Sequence, residues 1–578
     1  MTSSDRNRRS RLDPKSRRKR TTQIPRRRPG SGKPPGESGS GSDNKTPESG
    51  GSGNAGSQGK TSGSRRPRRH LGDRPHRPRQ HGAASGSRRP GRQRPQREPQ
   101  LTSGHESGSK LPSRWLAFFA LQAFEQRGVF LSAVLDDLYR QHQIEPRERR
   151  FATELAAETL RRQLTLDTIL AAYVDRPREE VEPELWQLLR LGVLQLLFLP
   201  HIPPHAAVNE TVSLCHRLRR PQARGFLNGV LRSIEREIQR EPHETDPRRQ
   251  ILLPDHGSVH PTSEDAAQRT SRLQLSRPVF ASPNQDFTTW ASQQVSLPRW
   301  LIARWESQYS DRDELVRDGL WFTTQGRMYF RVNANQTTRE KTLDVLRTAG
   351  LTADAAELPE SIAVTGSAVV SDLPGFADGW FSVQDISAMA IADLLAPQPG
   401  ERILDLCAAP GGKTCHLAER LQGTGEVVAC DLSEARLKPL RENVGRLKLS
   451  NVSVHTIASD GNGMPVGPYD AVLVDVPCSN TGVLGKRPEA RWRLKPESFT
   501  ELIPLQQQLL VRAIEAVKPG GRVIYSTCSI DEQENEQVVR AILETRTDVT
   551  LNTERRHVAG RPSDGGYQAL LRRGPTVS

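Results

Sequence analysis

Two of the six cysteines in this chain stand directly after short β-branched runs that predict strands. Cys478 lies in the sequence Asp-Val-Pro-Cys-Ser at 475–479, and Cys528 lies in Ser-Thr-Cys-Ser at 526–529. Loops that follow strands in an α/β domain usually face the ligand crevice. Because a thiolate is a strong nucleophile, this placement predicts covalent chemistry on a substrate that is held in such a crevice.

Both cysteine loops follow a glycine-rich turn, Cys407-Ala408-Ala409-Pro410-Gly411-Gly412-Lys413-Thr414. A P-loop would need glycine at 407, and a dinucleotide fingerprint would need Gly-x-Gly-x-x-Gly, which this turn lacks. What remains is a tight turn that lets backbone approach a ligand, with Asp431 at the end of the next predicted strand. A carboxylate there can accept hydrogen bonds from ribose hydroxyls, a pattern typical of S-adenosylmethionine enzymes. The alternative is a packing glycine pair with a solvated Asp431.

The elements around these motifs alternate between strand and helix from residue 373 to residue 574. Strands are predicted at 402–406, 427–431, 452–454, 471–475 and 521–525, and helices at 415–421 and 433–447. This alternation predicts a Rossmann-like α/β domain with a mostly parallel sheet and helices on both faces.

The positive charge of the chain is concentrated at its start. The whole chain has a formal net charge of +16, whereas residues 1–112 hold 28 Lys and Arg against 8 Asp and Glu, a net charge of +20. The remaining residues therefore carry −4. Residues 1–112 lack aromatic side chains and cannot bury enough apolar area to offset the entropy of ordering. We predict a disordered basic arm that attracts RNA without sequence choice, or else a solubilising tail.

Three sections separate the arm from the α/β domain. Residues 113–238 carry apolar residues at helical spacing, and their most apolar run, 185–200, predicts a buried core helix too short to cross a bilayer. Residues 239–285 are polar and predict a mobile linker or insertion. Residues 286–372 predict a small α/β subdomain with a strand at 329–333 and a helix at 338–349.

The chain resembles two known protein families. Residues 113–238 resemble the all-α NusB-type RNA-binding domain, through Leu-Arg-Leu-Gly at 189–192, Ile-Pro-Pro-His-Ala-Ala-Val-Asn-Glu at 202–210 and Gly-Phe-Leu-Asn-Gly-Val-Leu-Arg at 225–232. The α/β domain resembles the RsmB/Sun (Fmu) family of rRNA cytosine-5 methyltransferases, within the Nop2/NSUN group. That resemblance rests on the motifs at 383–388, 405–414, 431, 460–461, 475–478 and 525–529. Met389 departs from it, since the family often has Gln there.

The resemblance implies a use for two thiols. Carbon 5 of cytosine is a poor nucleophile toward a methyl sulfonium, and a thiolate added at carbon 6 makes carbon 5 enamine-like. By the resemblance Cys528 is the nucleophile, and Cys478 assists elimination and release. Asp475 would hydrogen-bond the target base, and Lys413 would lie near the base and help to keep a cysteine as thiolate. Four cysteines are expected to be packing residues: Cys215, Cys407, Cys415 and Cys430.

The resemblance also implies the cofactor, S-adenosyl-L-methionine. The backbone of residues 407–413 is expected to hold its methionine end, Asp431 its ribose and Asp460 its adenine amine, while Asp475 may serve cofactor and base alike. Asp460 has an alternative role as a turn residue before Gly461. The cysteines contain no Cys-x-x-Cys pair, so we expect no metal site.

The expected partner is RNA. A base must leave its stack to reach a thiol in a crevice, so the target should be single-stranded or flipped. The family points to cytosine 967 of small-subunit rRNA. Four basic residues are candidates for holding flanking phosphates: Arg331, Lys486, Arg487 and Arg491. We expect a cytoplasmic protein without a membrane segment, and we favour a monomer over an oligomer.

The sequence is also compatible with two other functions. The same chemistry could act on tRNA or 23S rRNA, because catalytic motifs do not encode the target. A protein of another class, a non-catalytic RNA-binding ribosome-assembly factor, would rely on the arm and the NusB-like domain. The presence of both thiols and of the glycine turn favours the enzyme.

Overall fold

The computed structural model describes residues 111–240, 246–254, 272–365, 369–459, 463–560 and 563–575. Residues 1–110 of the predicted arm and the predicted adenine ligand Asp460 lie outside the described residues. The described chain begins with a helical region, continues through a small antiparallel sheet, and ends in a large α/β domain.

The helical region contains seven helices: α1 (Ser113–Arg127), α2 (Leu131–Gln141), α3 (Pro146–Arg161), α4 (Gln163–Tyr173), α5 (Pro183–Phe198), α6 (Pro204–Arg217) and α7 (Arg224–Glu237). Helices α3, α5 and α6 each begin with proline, which fits the first helical turn because no intrahelical N–H bond is needed there. Helix α5 is buried along nearly its whole length, so the predicted core helix is confirmed. Within the described residues no helix is long and apolar enough to span a membrane.

The segment predicted as a mobile linker contains packed structure. Strands β1 (Ile238–Gln239), β2 (Gln250–Leu252) and β3 (Arg272–Leu275) form an antiparallel sheet in the order β1-β3-β2. Four apolar side chains of this segment are buried in the core of the helical region: Ile251, Leu273, Leu275 and Phe280. For its described residues the mobile-linker interpretation is therefore wrong, since a few apolar residues at alternating positions suffice to anchor it.

The next region holds a second antiparallel sheet. Its elements are α8 (Phe287–Val295), α9 (Arg299–Glu306), α10 (Arg312–Trp321), β4 (Met328–Val332), α11 (Arg339–Thr348), β5 (Thr352–Ala355), β6 (Ser361–Thr365) and β7 (Phe381–Val383). The strand order is β5-β6-β4-β7. Strand β7 lies beyond residue 373, and Phe381 stacks on Phe330 of β4 with ring centroids 4.6 Å apart. The boundary predicted at 372/373 therefore cuts through this sheet.

The α/β domain has a seven-stranded sheet. Its elements are α12 (Ile386–Leu395), β8 (Arg402–Asp405), α13 (Gly412–Arg420), β9 (Glu426–Asp431), α14 (Glu434–Arg446), β10 (Val452–Thr456), β11 (Tyr469–Asp475), α15 (Ala490–Arg493), α16 (Ser498–Ala516), β12 (Val517–Thr527), α17 (Glu536–Thr545), β13 (Val549–His557) and β14 (Gly566–Arg573).

The strand order is β10-β9-β8-β11-β12-β14-β13, parallel except where β14 pairs with β12 and β13. The predicted fold class, a helical domain followed by a mostly parallel α/β domain, is confirmed. The chain order reverses between β8 and β11, and ligands of such sheets bind at the carboxyl ends of the strands at this switch point. The glycine turn and both cysteine loops follow strands at or next to it.

One buried arginine joins the helical region to the α/β domain. The Nη1 group of Arg491 donates to the carbonyl oxygens of Arg161 (2.6 Å) and Ser296 (3.2 Å). Its Nη2 group donates to the carbonyl oxygens of Phe322 (2.6 Å) and Leu484 (3.0 Å). Burial lowers the pKa of Arg491 to about 9, and the cations of Arg161 and Arg162 act in the same direction. This side chain therefore links four separate segments of backbone.

Candidate active site

The two predicted catalytic cysteines meet at the carboxyl ends of β11 and β12. Asp475 and Ser526 are paired in register on these parallel strands, so the loops that follow leave the sheet side by side. The sulfur atoms of Cys478 and Cys528 are 3.2 Å apart, and both residues are half-buried. The structure thus brings together two residues that are 50 positions apart in the sequence.

The pKa values of the two thiols are shifted in opposite directions. The hydrogen bond from the Cys478 thiol has the largest influence on Cys528 and lowers its pKa. The cations of Lys413 and Arg487 lower it further, against the opposing effects of burial and of Asp475. The same hydrogen bond, together with burial, raises the pKa of Cys478 well above its usual range. Cys528 is therefore the thiol that is more readily converted to a thiolate, as a nucleophile requires.

Asn480 is a site residue that the sequence analysis missed. Its Oδ1 atom lies 3.3 Å from the Cys528 sulfur and accepts from the thiol form. The same oxygen accepts from Nη1 of Arg487 at 3.0 Å, and the Asn480 amide donates to the carbonyl of Cys478. Asn480 adopts a left-handed conformation (φ 60°), which Asn tolerates better than most residues. Its position two residues after a cysteine was the available signal.

Lys413 and Asp475 form an ion pair next to the thiols. Nζ of Lys413 donates to Oδ2 of Asp475 at 2.5 Å, and the hydroxyl of Ser526 donates to Oδ1 at 2.8 Å. Burial lowers the pKa of Lys413, but the Asp475 carboxylate outweighs it and raises the pKa overall. Lys413 is therefore a cation that stays charged beside Cys528.

Glu534 fixes the loop that carries Cys478, and it was also missed. This buried side chain accepts from the backbone N–H (2.9 Å) and the hydroxyl (2.5 Å) of Ser479, and from Nε2 of Gln506 (2.9 Å). Gly482 lets the same loop approach the start of β14, since a Cβ there would lie 2.2 Å from the carbonyl oxygen of Gly565. In the sequence Glu534 falls in a polar run that is typical of a solvated surface.

The glycine turn forms a cradle against α14. Gly411 has φ 102°, and a Cβ there would lie 2.6 Å from Cγ of Leu440, so only glycine fits. The backbone N–H of Ala409 donates to Oδ2 of Asp431 at 3.1 Å, and Arg436 lies 3.1 Å from Oδ1. The predicted cofactor residues Cys407, Ala408, Pro410 and Gly412 complete this turn between β8 and α13.

Asp405, at the end of β8, has an unused hydrogen-bonding capacity. Thr414 donates to its Oδ2 atom at 2.6 Å, whereas its buried Oδ1 atom has no hydrogen-bond partner among the described residues. Burial, with the nearby carboxylates of Asp475 and Asp431, raises the pKa of Asp405 to about 7. An unsatisfied carboxyl oxygen beside a backbone cradle suits a ligand with a cationic amine and polar groups. The residues present therefore fit S-adenosyl-L-methionine.

The remaining cysteines differ from Cys478 and Cys528. Cys215, Cys415 and Cys430 are buried, and Cys407 is half-buried. Burial raises the pKa of all four, to about 12 for Cys415 and Cys430. Among the described residues no group of three or more His, Cys, Asp and Glu is placed to hold a metal ion.

Three of the four predicted phosphate-binding residues are engaged inside the protein. Arg331 is fully buried and pairs with Glu419 at 2.7 Å, and Arg491 is the junction arginine described above. Lys486 pairs with Asp385 (2.5 Å) and Asp564 (3.0 Å). The prediction is therefore wrong for Arg331 and Arg491, since neither reaches the surface. Arg487 is exposed and remains a candidate.

Comparison with known proteins gives the family. Sequence models match residues 392–572 for the 16S rRNA methyltransferase RsmB/F family, residues 111–236 for the NusB family, and residues 297–371 for the ferredoxin-like domain of RsmF/B-like methyltransferases. Ribosomal RNA small subunit methyltransferase B of Serratia proteamaculans is 34% identical over 465 residues, which cover 78% of this chain and 96% of that protein. The chain belongs to the ribosomal RNA small subunit methyltransferase B family.

Other relatives agree with this assignment. The probable ribosomal RNA small subunit methyltransferase B of a Synechocystis species is 32% identical over 442 residues, 76% of this chain and 90% of that protein. The crystal structure of PH0851 has the same fold, with a TM-score of 0.61 and 23% identity over 80% of this chain and all of that chain. The predicted family is confirmed. This member of the methyltransferase B family is an RNA methyltransferase that uses S-adenosyl-L-methionine.

Proposed function

We propose that this protein methylates carbon 5 of cytosine 967 in 16S rRNA through a covalent bond between Cys528 and the base. The observation that carries this proposal is the thiol pair, with sulfur atoms 3.2 Å apart and pKa values shifted in opposite directions. Such a pair suits covalent catalysis in which one thiol attacks and the other handles a proton. The relatives' names, which specify small-subunit rRNA, support the target.

In the first step the Cys528 thiolate adds to carbon 6. A carbon–sulfur bond forms, the double bond between carbons 5 and 6 is lost, and its electrons move to carbon 5 and the ring. Ring nitrogen 3 takes up a proton from water, which it returns when the adduct is released, and Asp475 accepts a hydrogen bond from this N–H group or from the exocyclic amine. Because Lys413 and Ser526 hold its two oxygens, this carboxylate is already oriented before the base arrives.

The activated carbon 5 then gains the methyl group. When bound, the cofactor would supply an electrophilic methyl on its sulfonium and leave as a neutral thioether when the sulfur–methyl bond breaks; the turn at 407–413 and Asp431 are the residues that would hold it. Asp475 and Lys413 flank the thiols and the end of this turn, so the ion pair aligns the base with the cofactor cradle. Asp460 is proposed to meet the adenine amine.

Release requires removal of the proton on carbon 5 and loss of the sulfur from carbon 6. While Cys528 is a thiolate, its hydrogen bond is the main cause of the raised pKa of Cys478. Once Cys528 is bonded to carbon 6 this cause is gone and burial remains, so the pKa of Cys478 falls and a fraction of the thiol loses its proton to water. The Cys478 thiolate then takes the proton from carbon 5, and elimination restores the Cys528 thiolate. The second thiol thus becomes a base only after the first has reacted.

Alanine variants of the two cysteines test the proposal. RNA carrying the target hairpin is incubated with cofactor, and covalent complexes are separated on denaturing gels. Cys528→Ala should abolish both methylation and adduct, whereas Cys478→Ala should accumulate a slowly migrating adduct. Cys215→Ala, which changes a buried cysteine of the helical region, is the control and should turn over normally. An adduct with Cys528→Ala and none with Cys478→Ala would reverse the two roles.

The target is tested in cells. Bisulfite sequencing of total RNA from a strain that lacks the gene should lose one signal, at cytosine 967 of 16S rRNA. We propose that modification occurs in the cytoplasm, before ribosome assembly covers this hairpin loop. Loss of a signal in tRNA or 23S rRNA instead would keep the chemistry and change the substrate.

A further inference from the structure

A large groove separates the helical region from the catalytic domain. Its volume is about 1470 Å³. One wall comes from α2 and α3 and includes Phe130 and Arg150, and the other comes from residues 325–328 and 486–489 and includes Arg327 and Arg487. Sites for drug-sized ligands have volumes of about 300–1,000 Å³. The groove is larger than such a site, and its size suits a segment of a polymer.

The groove has an excess of positive charge. Seven basic and four acidic residues line it. Several of the cations are neutralised locally, as in the pairs Arg161–Glu158 and Arg140–Asp137. In the part of the chain that the structure describes, neither Arg150 nor Arg327 forms an ion pair, and Arg150 is exposed. Two guanidinium groups on opposite walls are therefore available to an anionic ligand.

An exposed aromatic ring stands at the same groove. Phe130 is 52% exposed, although large apolar side chains are normally buried. The guanidinium of Arg493 lies 4.5 Å from the centre of its ring and supports one face. Exposed rings next to cations are the usual platform on which unpaired nucleic-acid bases stack. A purely ionic ligand would have no use for this ring.

The groove leads to the nucleophile. Arg487 lines the groove and donates to Oδ1 of Asn480 at 3.0 Å, and the same oxygen lies 3.3 Å from the Cys528 sulfur. An RNA strand that contacts Arg487 in the groove is therefore connected to the Cys528 thiol through two hydrogen bonds, one between Arg487 and Asn480 and one between Asn480 and Cys528. This continuity distinguishes the groove from a separate binding site.

We propose that this groove binds the single-stranded RNA that flanks the target cytosine. Arg150 and Arg327 contact phosphates from opposite walls, and Phe130 stacks on an unpaired base. The proposal rests on the proposed function and extends it, because it says that the helical region and the catalytic domain hold one continuous strand. It also predicts a preference for loops over duplexes, since a base within a duplex presents no free face to Phe130.

The test measures RNA binding with the full-length protein and without cofactor, at several salt concentrations. The RNA is the target hairpin loop with its flanking nucleotides, carrying a fluorescent label. For Arg150→Ala/Arg327→Ala, the slope of log affinity against log salt should become shallower by about 1.4, since each lost phosphate contact on a single strand changes it by about 0.7. Arg540→Ala, an exposed helical arginine outside the groove, should keep the parent slope.

Phe130 variants test stacking separately. Phe130→Ala should weaken binding by about 5- to 150-fold at constant slope, the range that corresponds to about 1–3 kcal/mol per stacked base. Phe130→Tyr should bind like the parent, because it keeps the ring. Thermal unfolding of each variant checks that the fold is retained.

The outcomes separate this proposal from the function. If both groove variants bind RNA with the parent affinity and slope, the groove proposal is wrong and a protein partner becomes the better occupant. If the parent protein fails to methylate cytosine but the variants lose RNA binding as expected, the groove stands and the proposed reaction falls.

Discussion

Two regions of this molecule bury charged side chains, and they do so in different ways. At the junction between domains, Arg491 is surrounded by backbone carbonyls from four segments, and no carboxylate of the described residues accepts from it. In the pocket beside Cys478 and Cys528, Lys413 faces Asp475, and one oxygen of Asp405 has no partner in the part of the chain that the structure describes. The junction uses a charge to hold backbone together, whereas the pocket holds charges beside two reactive thiols.

The two regions differ in whether a ligand can reach the buried charges. A ligand cannot reach Arg491, so its contribution is to stability alone. The pocket contains groups with raised and lowered pKa values within contact of one another, an arrangement that is costly unless it serves chemistry. Substitutions should therefore separate the two regions, with stability lost at the junction and turnover lost in the pocket.

The largest effect is expected at the junction. Arg491→Met removes the donors to four buried carbonyl groups, and each unsatisfied group costs about 1–3 kcal/mol. The variant no longer buries a charge, and this offsets part of the cost. We therefore expect the free energy of unfolding to fall by on the order of 5 kcal/mol, measured by chemical denaturation. Methylation per folded molecule should stay within about twofold of the parent, since Arg491 contacts no reacting group.

The matched control is Arg540→Met, an exposed helical arginine that should change stability by less than about 0.5 kcal/mol. If Arg491→Met were as stable as this control, the junction would not depend on its buried cation.

The second prediction concerns pH. The folded protein holds Asp405 with a pKa of about 7, above the ordinary value near 3.9, so the fold favours the protonated form. Its contribution to stability is complete below about pH 4 and is lost as the pH rises through about 7. Asp405→Asn keeps the neutral shape, so without cofactor it should be more stable than the parent at pH 8 by on the order of 4 kcal/mol.

At pH 4 the variant and the parent should unfold at the same denaturant concentration. Equal stability at both pH values would show that Asp405 titrates normally in the folded protein.

The third prediction concerns chemistry in the pocket. Lys413→Met removes the cation beside Cys528 and leaves Asp475 unpaired, and both changes raise the pKa of the thiol. We expect methyl transfer at pH 7 to fall on the order of 100-fold, because a neighbouring charge shifts a pKa by about 1–3 units. The rising limb of the pH–rate profile should move to higher pH. Lys413→Arg keeps the charge and should recover the parent profile, although not its full rate.

The smallest effect is expected for a substitution of Glu534, which holds the loop that carries Cys478. Glu534→Gln places an amide donor where Ser479 and Gln506 already donate, so the Cys478 loop loses its fixed position. Release should slow by about tenfold, as expected for an imperfectly placed proton acceptor, with some covalent RNA accumulating. Glu544→Gln, an exposed change on α17, is the control. An unchanged release rate would make Glu534 a packing residue.

Local patterns predicted which residues would meet at the carboxyl ends of the strands. The glycine turn, the two strand-end cysteines, Lys413 and Asp475 are contiguous with strong strand signals, and parallel strands bring their carboxyl ends to one edge. The sequence therefore determined the fold class, the position of the crevice and the two cysteines that lie at it. It also predicted that helix α5 is buried, because a helix that is apolar on all sides is unfavourable in water.

Only the tertiary structure decided which charges are buried and which thiol is more acidic. Arg331 and Arg491 look like surface cations in the sequence, yet each is enclosed by groups from distant segments. Asn480 and Glu534 act through partners that no local spacing specifies, and the linker is anchored by isolated apolar residues. A pKa depends on burial and on charges within a few ångströms, and these are properties of the folded chain.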